Sequence, residues 1–482
     1  MDSKVGILMP VASLPNRFGS GDFGPEAFRF VDDCAKAGFS IWQLLPMNPL
    51  GYGNSPYQPF SSYAMDEIYI SLDYLAKEYD LGIIPDYRKH FNRIDYPATR
   101  KFREEYLRMA FAKFQPTDDY KKWVRKQAWL ESYAIFMAFK RANNFVCWNE
   151  WPQKMRDYPE EKELDLELYR DEIHYQKFLQ YTLSRQWAAL KDHANSKGIR
   201  IMGDVPFYVG LDSADCWANR SNFLLTKSGH PRFIAGVPPD YFAESGQRWG
   251  NPIYDWEHME EDGFRFWLDR LSYNYTHGMF DIIRLDHFRA FDTYWKIPAS
   301  CPTAIEGDWI EAPGKKLFEL LLKKYPGIEI VAEDLGDMRP EVYELRDQFG
   351  FPGMNILSFT FNPERDNHVI PHSLAYTGTH DNETIVSYFE MLDDEDKAKW
   401  RKWMKIHGFK GRTVPEQFLD FTVHCGAEMI IVPMMDWLLL GSEATLNHPG
   451  TVGSPNWEWR LNNLQKFEER IPAIRKLIRS LK

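Results

Sequence analysis

The sequence predicts an α/β fold, a (β/α)8 TIM barrel carrying large inserted subdomains, and three observations point to it. Eight short β-like runs recur along the chain, most followed by an amphipathic helical stretch, and strand alternating with helix over this length is the pattern of a parallel barrel. The run FDIIRLDHFRAF at 280–291 is apolar on both strand faces until its end, as a strand covered by helices on both sides has to be. Four carboxylates, Asp204, Asp286, Glu333 and Asp381, fall at the carboxyl ends of four different predicted strands, and barrel closure brings those ends onto one rim.

The first strand, 5–9, is followed by Gly19-Ser20-Gly21-Asp22-Phe23-Gly24 and a helix over 25–37. The glycines formally match a dinucleotide fingerprint, but they stand several residues from the strand, and the next strand, 40–45, ends without an acidic residue for a ribose; a tight glycine loop at the barrel mouth is the better reading. Residues 48–66 hold too much Gly, Pro, Ser and Asn for regular structure and form a loop over the mouth, in which Tyr52 and Tyr57 are either platforms for a sugar ring or loop packing. From about 81 to 190 the chain is helical, charged and rich in Trp and Tyr; this is too long for a connection and reads as an inserted helical subdomain.

The third strand, 199–204, ends in Asp204, and Pro206 stops further pairing. A second insertion, about 209–263, contains GVPPDYFAESGQRWGNPIYDW at 236–256, a Gly- and Pro-rich run with polar and aromatic groups, Trp249 among them, suited to a lid over substrate. In the fourth strand, 280–286, side chains alternate, so Phe280, Ile282, Arg284 and Asp286 share one face while Ile283, Leu285 and His287 share the other. The fifth, 328–333, ends in Glu333 and Asp334; the sixth covers 354–359; the seventh, 374–379, runs into His380 and Asp381; the eighth covers 429–434. A loop, NHPGTVGSPNWEWR, and a helix close the chain, so the reading is one catalytic barrel over 1–482 with two insertions.

A formal charge of -11 and a pI near 5.7 argue against nucleic acid and suit a neutral substrate. The 5 cysteines are scattered without paired metal spacing, there is no N-terminal apolar leader, and no apolar run is long enough to span a bilayer; a cytoplasmic protein with free thiols and no membrane partner is expected.

The chemistry narrows by elimination. No H-E-x-x-H or paired C-x-x-C is present, His368 and His372 flank a proline, and both the G-x-S-x-G elbow and Walker A are missing, so no metal and no cofactor is expected. Carboxylate chemistry remains, with glycosidic bond cleavage as its leading case: one carboxylate ionised at the anomeric carbon, one protonated at the leaving oxygen. Arg284 would keep Asp286 ionised, and crowding by like charge would raise the pKa of Glu333.

R-x-D-H, A-E-D-L-G and T-H-D-N, in that order, resemble the catalytic segments of the α-amylase clan. With GYGNSPYQ, DSADCWANR, GVPPDYF…GQRWGNPIYDW, RLDHFRA and NHPGT…NWEWR, almost the whole chain resembles the amylomaltases, or 4-α-glucanotransferases. The resemblance implies a (β/α)8 barrel broken by insertions and without a C-terminal β-sandwich. It further implies retaining transfer of α-1,4-glucan segments between maltooligosaccharides, with an α-amylase-like hydrolase as the alternative. By this match Asp286 is the nucleophile, Glu333 the acid/base and Asp381 the stabiliser of the transition state. Arg284 supports the nucleophile, His380 contacts sugar hydroxyls, Tyr57 stands beside the reacting sugar, and Asp204 has a mainly structural role; Tyr52 and Trp249 join the substrate-binding set. Ala290, where the family often has Gly, and Glu244, where a small residue is common, depart from the pattern and bear on acceptor preference.

Overall fold

Eight parallel strands form a ring: β1 (Lys4–Leu8), β2 (Ile41–Gln43), β3 (Arg200–Val205), β4 (Ile282–Leu285), β5 (Ile330–Ala332), β6 (Gly353–Ile356), β7 (Ser373–Tyr376) and β8 (Met429–Pro433). The computed structural model describes residues 3–89, 91–239, 244–365 and 368–481. In space the order is β6-β7-β8-β1-β2-β3-β4-β5, every pairing parallel. The ring closes where the Ala332 amide donates to the Pro352 carbonyl, just before β6, at 2.9 Å. Because helices cover the outside and side chains fill the inside, β4 and β8 are buried along their whole length and carry no polar alternation. Around β4 the two faces serve two apolar cores, Phe280 and Ile282 in one, Ile283 and Leu285 in the other.

Several strands are shorter than expected, the second, fourth, fifth, sixth and seventh among them, and the sixth shows why. The ladder between β6 and β7 ends at the pair Ile356 and Tyr376, and with no partner further along, Leu357–Thr360 coils into a helical turn. The glycine loop after β1 is set by close approach rather than by a ligand: a Cβ on Gly21 would lie 1.9 Å from the Val11 carbonyl oxygen. The helix it opens, Pro25–Ala37, has proline in its first turn and ends on Gly38 in the left-handed region at φ 96°.

Between β2 and β3 the chain forms the helices Tyr96–Lys113, Asp118–Lys126 and Leu130–Ala142, then the long helix Arg170–Ser196, which packs on both Pro25–Ala37 and β3. The connections on either side of β4 build something the sequence reading did not contain. Strands Gln247–Pro252 and Phe233–Val237, from before β4, join Thr293–Pro298 and Asp308–Glu311, from after it, in a four-stranded antiparallel sheet. The expected lid is therefore half strand, and this sheet fixes where Trp249 stands. Residues 240–243 of the lid run lie outside the described residues. Among the described residues no helix is long and apolar enough to cross a membrane.

Candidate active site

At the carboxyl end of β3 the Asp204 carboxylate is buried, and its two oxygens have different partners: Oδ1 accepts from Arg284 Nη1 at 2.7 Å and Oδ2 from the Tyr57 hydroxyl at 2.7 Å. The same Arg284 nitrogen also donates to Asp286 Oδ1 at 2.9 Å. Arg284 and Asp286 are two residues apart on one strand face, so the strand's own period aims both inward, and the neighbouring strand supplies Asp204 opposite Arg284 in the ladder. Burial pushes Asp204 up and is opposed by the Arg284 charge; Arg284, facing two carboxylates, is held well above its ordinary value although burial works against it.

Past Asp286 the backbone turns sharply, with His287 in the left-handed region at φ 49°, a conformation that costs a non-glycine residue roughly 1–2 kcal/mol. The turn aims the His287 amide at Glu333, whose Oε2 accepts from it at 2.6 Å while Oε1 accepts from the Leu335 amide at 3.0 Å. Burial raises the Glu333 carboxyl most, and the Asp286 charge raises it further; Arg284 and the two amides pull the other way, and the group ends pushed up to about 8. Two carboxyl groups on adjacent strands thus sit in unequal surroundings: Arg284 donates directly to Asp286, whereas Glu333 is hydrogen-bonded by two backbone amides and feels the same guanidinium only at longer range. Burial also pushes the His287 imidazole down to about 4, so it is neutral. Asp334, adjacent to Glu333 in sequence, points elsewhere: it is buried, paired with Arg346, and accepts the Met354 amide at 2.7 Å, tying β5 to β6.

From the loop after β7, Asp381 is exposed and accepts from Asn447 Nδ2 at 2.7 Å; His380 Nε2 lies 3.4 Å from its other oxygen. The His380 ring is stacked on Tyr57, with centroids 5.2 Å and planes 16° apart, and Trp457 leans on both. Asp286, Asp381, His380, Tyr57, Tyr52 and Trp249 all line one cleft of about 900 Å³. Trp249 stands edge-on to His287 at 4.9 Å, whereas Tyr52 is 78 % exposed at the lip. Ala290 is buried behind the site and Glu244 is exposed at the edge of the lid. Sequence reasoning had not singled out Asn447, Trp457 or Gln58, which anchors the loop to the side sheet by donating to Asn251 Oδ1 at 2.8 Å and to the Trp249 carbonyl at 3.3 Å. The available signal for the first two was the Gly-, Pro- and Trp-rich run after β8. Among the described residues no group of three or more His, Cys, Asp or Glu side chains is arranged to hold a metal ion.

Fold and site together define a barrel enzyme whose mouth holds carboxyl groups in unequal surroundings: Asp286 lines a cleft walled by aromatic rings, and Glu333 is held beside it by the His287 and Leu335 amides. Residues 9–466 match the family described as 4-alpha-glucanotransferase, and the chain belongs to that family. It is 40 % identical over 474 residues to the 4-alpha-glucanotransferase of Thermus thermophilus, covering 95 % of this chain and 94 % of the relative. To that of Clostridium butyricum it is 39 % identical over 495 residues, covering 98 % and 99 %. In three dimensions it is similar to the amylomaltase from Streptococcus agalactiae in complex with acarbose, with a TM-score of 0.93, 32 % identity and 99 % of each chain covered. The chain is a 4-alpha-glucanotransferase, an enzyme that transfers segments of glucan.

Proposed function

We propose that the transfer proceeds by retaining double displacement on α-1,4-glucans, with Asp286 as nucleophile, Glu333 as acid/base and Asp381 as the carboxylate that steadies the positive charge of the transition state. The observation that carries this reading is the unequal treatment of two neighbouring carboxyl groups. Arg284 donates to Asp286 at 2.9 Å, while burial and the Asp286 charge keep a proton on Glu333. In the first step an Asp286 oxygen bonds to C1 of the donor sugar, the C1–O4 bond breaks, and the Glu333 proton passes to the departing O4. In the second, Glu333 takes the proton of an incoming 4-hydroxyl, that oxygen bonds to C1, and the C1–Asp286 bond breaks, regenerating the α-1,4 link.

Arg284 orients the nucleophile and is itself fixed by Asp204. His380 and Asp381 grip hydroxyls of the reacting ring, and Tyr57, Tyr52 and Trp249 supply flat surfaces for neighbouring rings. Maltooligosaccharides or longer α-1,4-glucans serve as both donor and acceptor, in keeping with the acarbose carried by the Streptococcus agalactiae relative, and the cycle calls on no cofactor. We read residues 1–482 as one catalytic barrel with insertions at about 81–190 and 209–263, the latter closing over the acceptor, and we place the enzyme in the cytoplasm, where its 5 free cysteines stay reduced. The test is incubation with pure maltotriose. Glucose and longer maltooligosaccharides should form while total reducing ends stay nearly constant; a steady rise in reducing ends would mean that water wins the second step and would overturn the proposal.

A further inference from the structure

The loop that carries His380 and Asp381 is held at both ends by one buried side chain that the transfer steps do not use. Asp436, in the helical turn Met434–Trp437 just after β8, is 1 % exposed and lines no part of the cleft at Asp286. Its Oδ2 accepts from Thr377 Oγ1 at 2.5 Å, one residue past β7, and its Oδ1 accepts the amide of Ile385, the first residue of the helix Ile385–Met391, at 2.8 Å. An amide in the first turn of a helix has no partner within that helix, and here Asp436 supplies one. Residues 378–384 therefore run between two points fixed to the same carboxylate. Inside the loop, Asn382 Oδ1 accepts from the Thr379 amide at 2.8 Å and the Thr379 hydroxyl at 3.0 Å, which fixes the loop's shape but not its place on the barrel. Of the other contacts that reach it from the segment after β8, Asn447 to Asp381 at 2.7 Å is exposed and Thr445 Oγ1 to Glu383 Oε2 at 2.9 Å is half-buried.

We propose that Asp436 is a positioning residue for the transfer: by clamping Thr377 and Ile385 it holds His380 and Asp381 against the reacting sugar, an assignment that rests on the role given to Asp381 above. It touches neither sugar nor nucleophile and acts through the loop. A hydrogen bond in a buried, low-dielectric setting is stronger than the same bond at the surface, so the clamp on the barrel side sets the loop's place and the more exposed contacts follow it. Asp436 and His380 line the same gap beneath the loop, of about 10 Å³, no more than one water needs, so the loop rests on packed side chains with no room for a ligand. Released from the clamp it is free to shift, and a misplacement near 1 Å at groups facing a reacting centre can cost on the order of 10²-fold in rate. An amide at position 436 keeps both contacts, its oxygen accepting from the Ile385 amide and its nitrogen donating to Thr377 Oγ1, whereas a methyl group keeps neither.

The experiment is a double-mutant cycle. Fluoride release from α-glucosyl fluoride is measured for Asp436→Ala and Asp436→Asn, each in the wild-type background and in Asp381→Asn, well below the melting temperature of every variant. In the wild-type background Asp436→Ala should lose roughly tenfold or more, while Asp436→Asn stays within about threefold. Because the clamp works through the loop, the cost of Asp436→Ala should shrink to about threefold or less in Asp381→Asn, whereas a residue that only supports the fold costs the same factor in both backgrounds. Asp381 acts on the reacting ring and not on the leaving group, so maltotriose transfer by Asp436→Ala should fall by the same factor as fluoride release, unlike Glu333→Gln. An equal loss in the two backgrounds, a wild-type rate in Asp436→Ala, or Asp436→Asn as slow as Asp436→Ala overturns the proposal. Should Asp436→Ala fail to fold, Thr377→Val, which removes one end of the clamp at nearly the same shape, takes its place in the cycle, with a loss of about fivefold or more in the wild-type background and about twofold or less in Asp381→Asn. Failure of the role given to Asp381 would show separately, as Asp381→Asn that releases fluoride at the wild-type rate.

Discussion

Replacing Glu333 by glutamine tests whether enclosure of this side chain sets the operating range of the enzyme. Its carboxyl is pushed up from an ordinary 4.5 to about 8 by burial and by Asp286. At pH 7 a group titrating near 8 keeps its proton about 90 % of the time, whereas one at 4.5 would hold it in one molecule in roughly 300, so the site raises the competent acid by about 300-fold. Wild-type transfer from maltotriose should therefore fall as pH rises through about 8. With a natural glucan, Glu333→Gln should lose on the order of 10²–10⁴-fold in rate, since the departing alkoxide is left unprotonated. With α-glucosyl fluoride the leaving group needs no proton, so the first step should survive without a fall near pH 8, and the glycosyl enzyme should accumulate because nothing activates the acceptor. Azide, which needs no deprotonation, should restore turnover and give the β-glycosyl azide. The assay is fluoride release with and without azide across pH 5–10. Equal damage to both substrates with no azide rescue would refute the acid/base role and pass it to another rim carboxylate.

Asp286→Asn should fold normally yet lose transfer by a comparable factor or more, checked by circular dichroism beside the maltotriose assay. Arg284→Met leaves Asp204 and Asp286 facing each other without a cation and should cost roughly 3–5 kcal/mol in urea unfolding, together with a large loss of kcat. Asp334→Ala breaks the buried pair with Arg346 and should cost a similar roughly 3–5 kcal/mol, while the enzyme that remains folded keeps the wild-type pH profile. Asp436 is buried, accepts from Thr377 Oγ1 at 2.5 Å and the Ile385 amide at 2.8 Å, and is pushed up to about 7 by burial. Its folded pKa lies above the ordinary 3.8, so its contribution to stability is full below about pH 4 and is lost as pH rises through about 7. Thermal melts of Asp436→Asn should show that part of the decline between pH 4 and 7 removed.

The barrel was legible because each strand carries its own signal: a short apolar run with a polar end, read without knowledge of its neighbours. Rim carboxylates were legible for the same reason, since Asp204, Asp286 and Glu333 are each fixed by strand period and strand end. What escaped depends on pairing between distant segments. The side sheet joins strands from both connections around β4; Gln247–Pro252 contains Gly, Asn and Pro, and Asp308–Glu311 is mostly exposed, so neither shows the alternation of a half-buried strand. Asn447 reaches Asp381 across 66 residues, and nothing local to Asn447 announces that contact. By strand position alone Glu333 and Asp334 both stand at the end of the fifth strand, and it was the resemblance of A-E-D-L-G that picked Glu333; a single step along the chain gives one the His287 amide beside Asp286 and sends the other into a buried pair with Arg346.

The assignment of the nucleophile bears most directly on the whole account. Glu333→Gln incubated with α-glucosyl fluoride, quenched in acid and digested, should yield one peptide spanning 280–291 heavier by a single glucosyl unit, with fragmentation placing the sugar on Asp286. A sugar mapped to Asp204, Asp381 or any other residue, or protein that releases fluoride without ever carrying sugar, would contradict it.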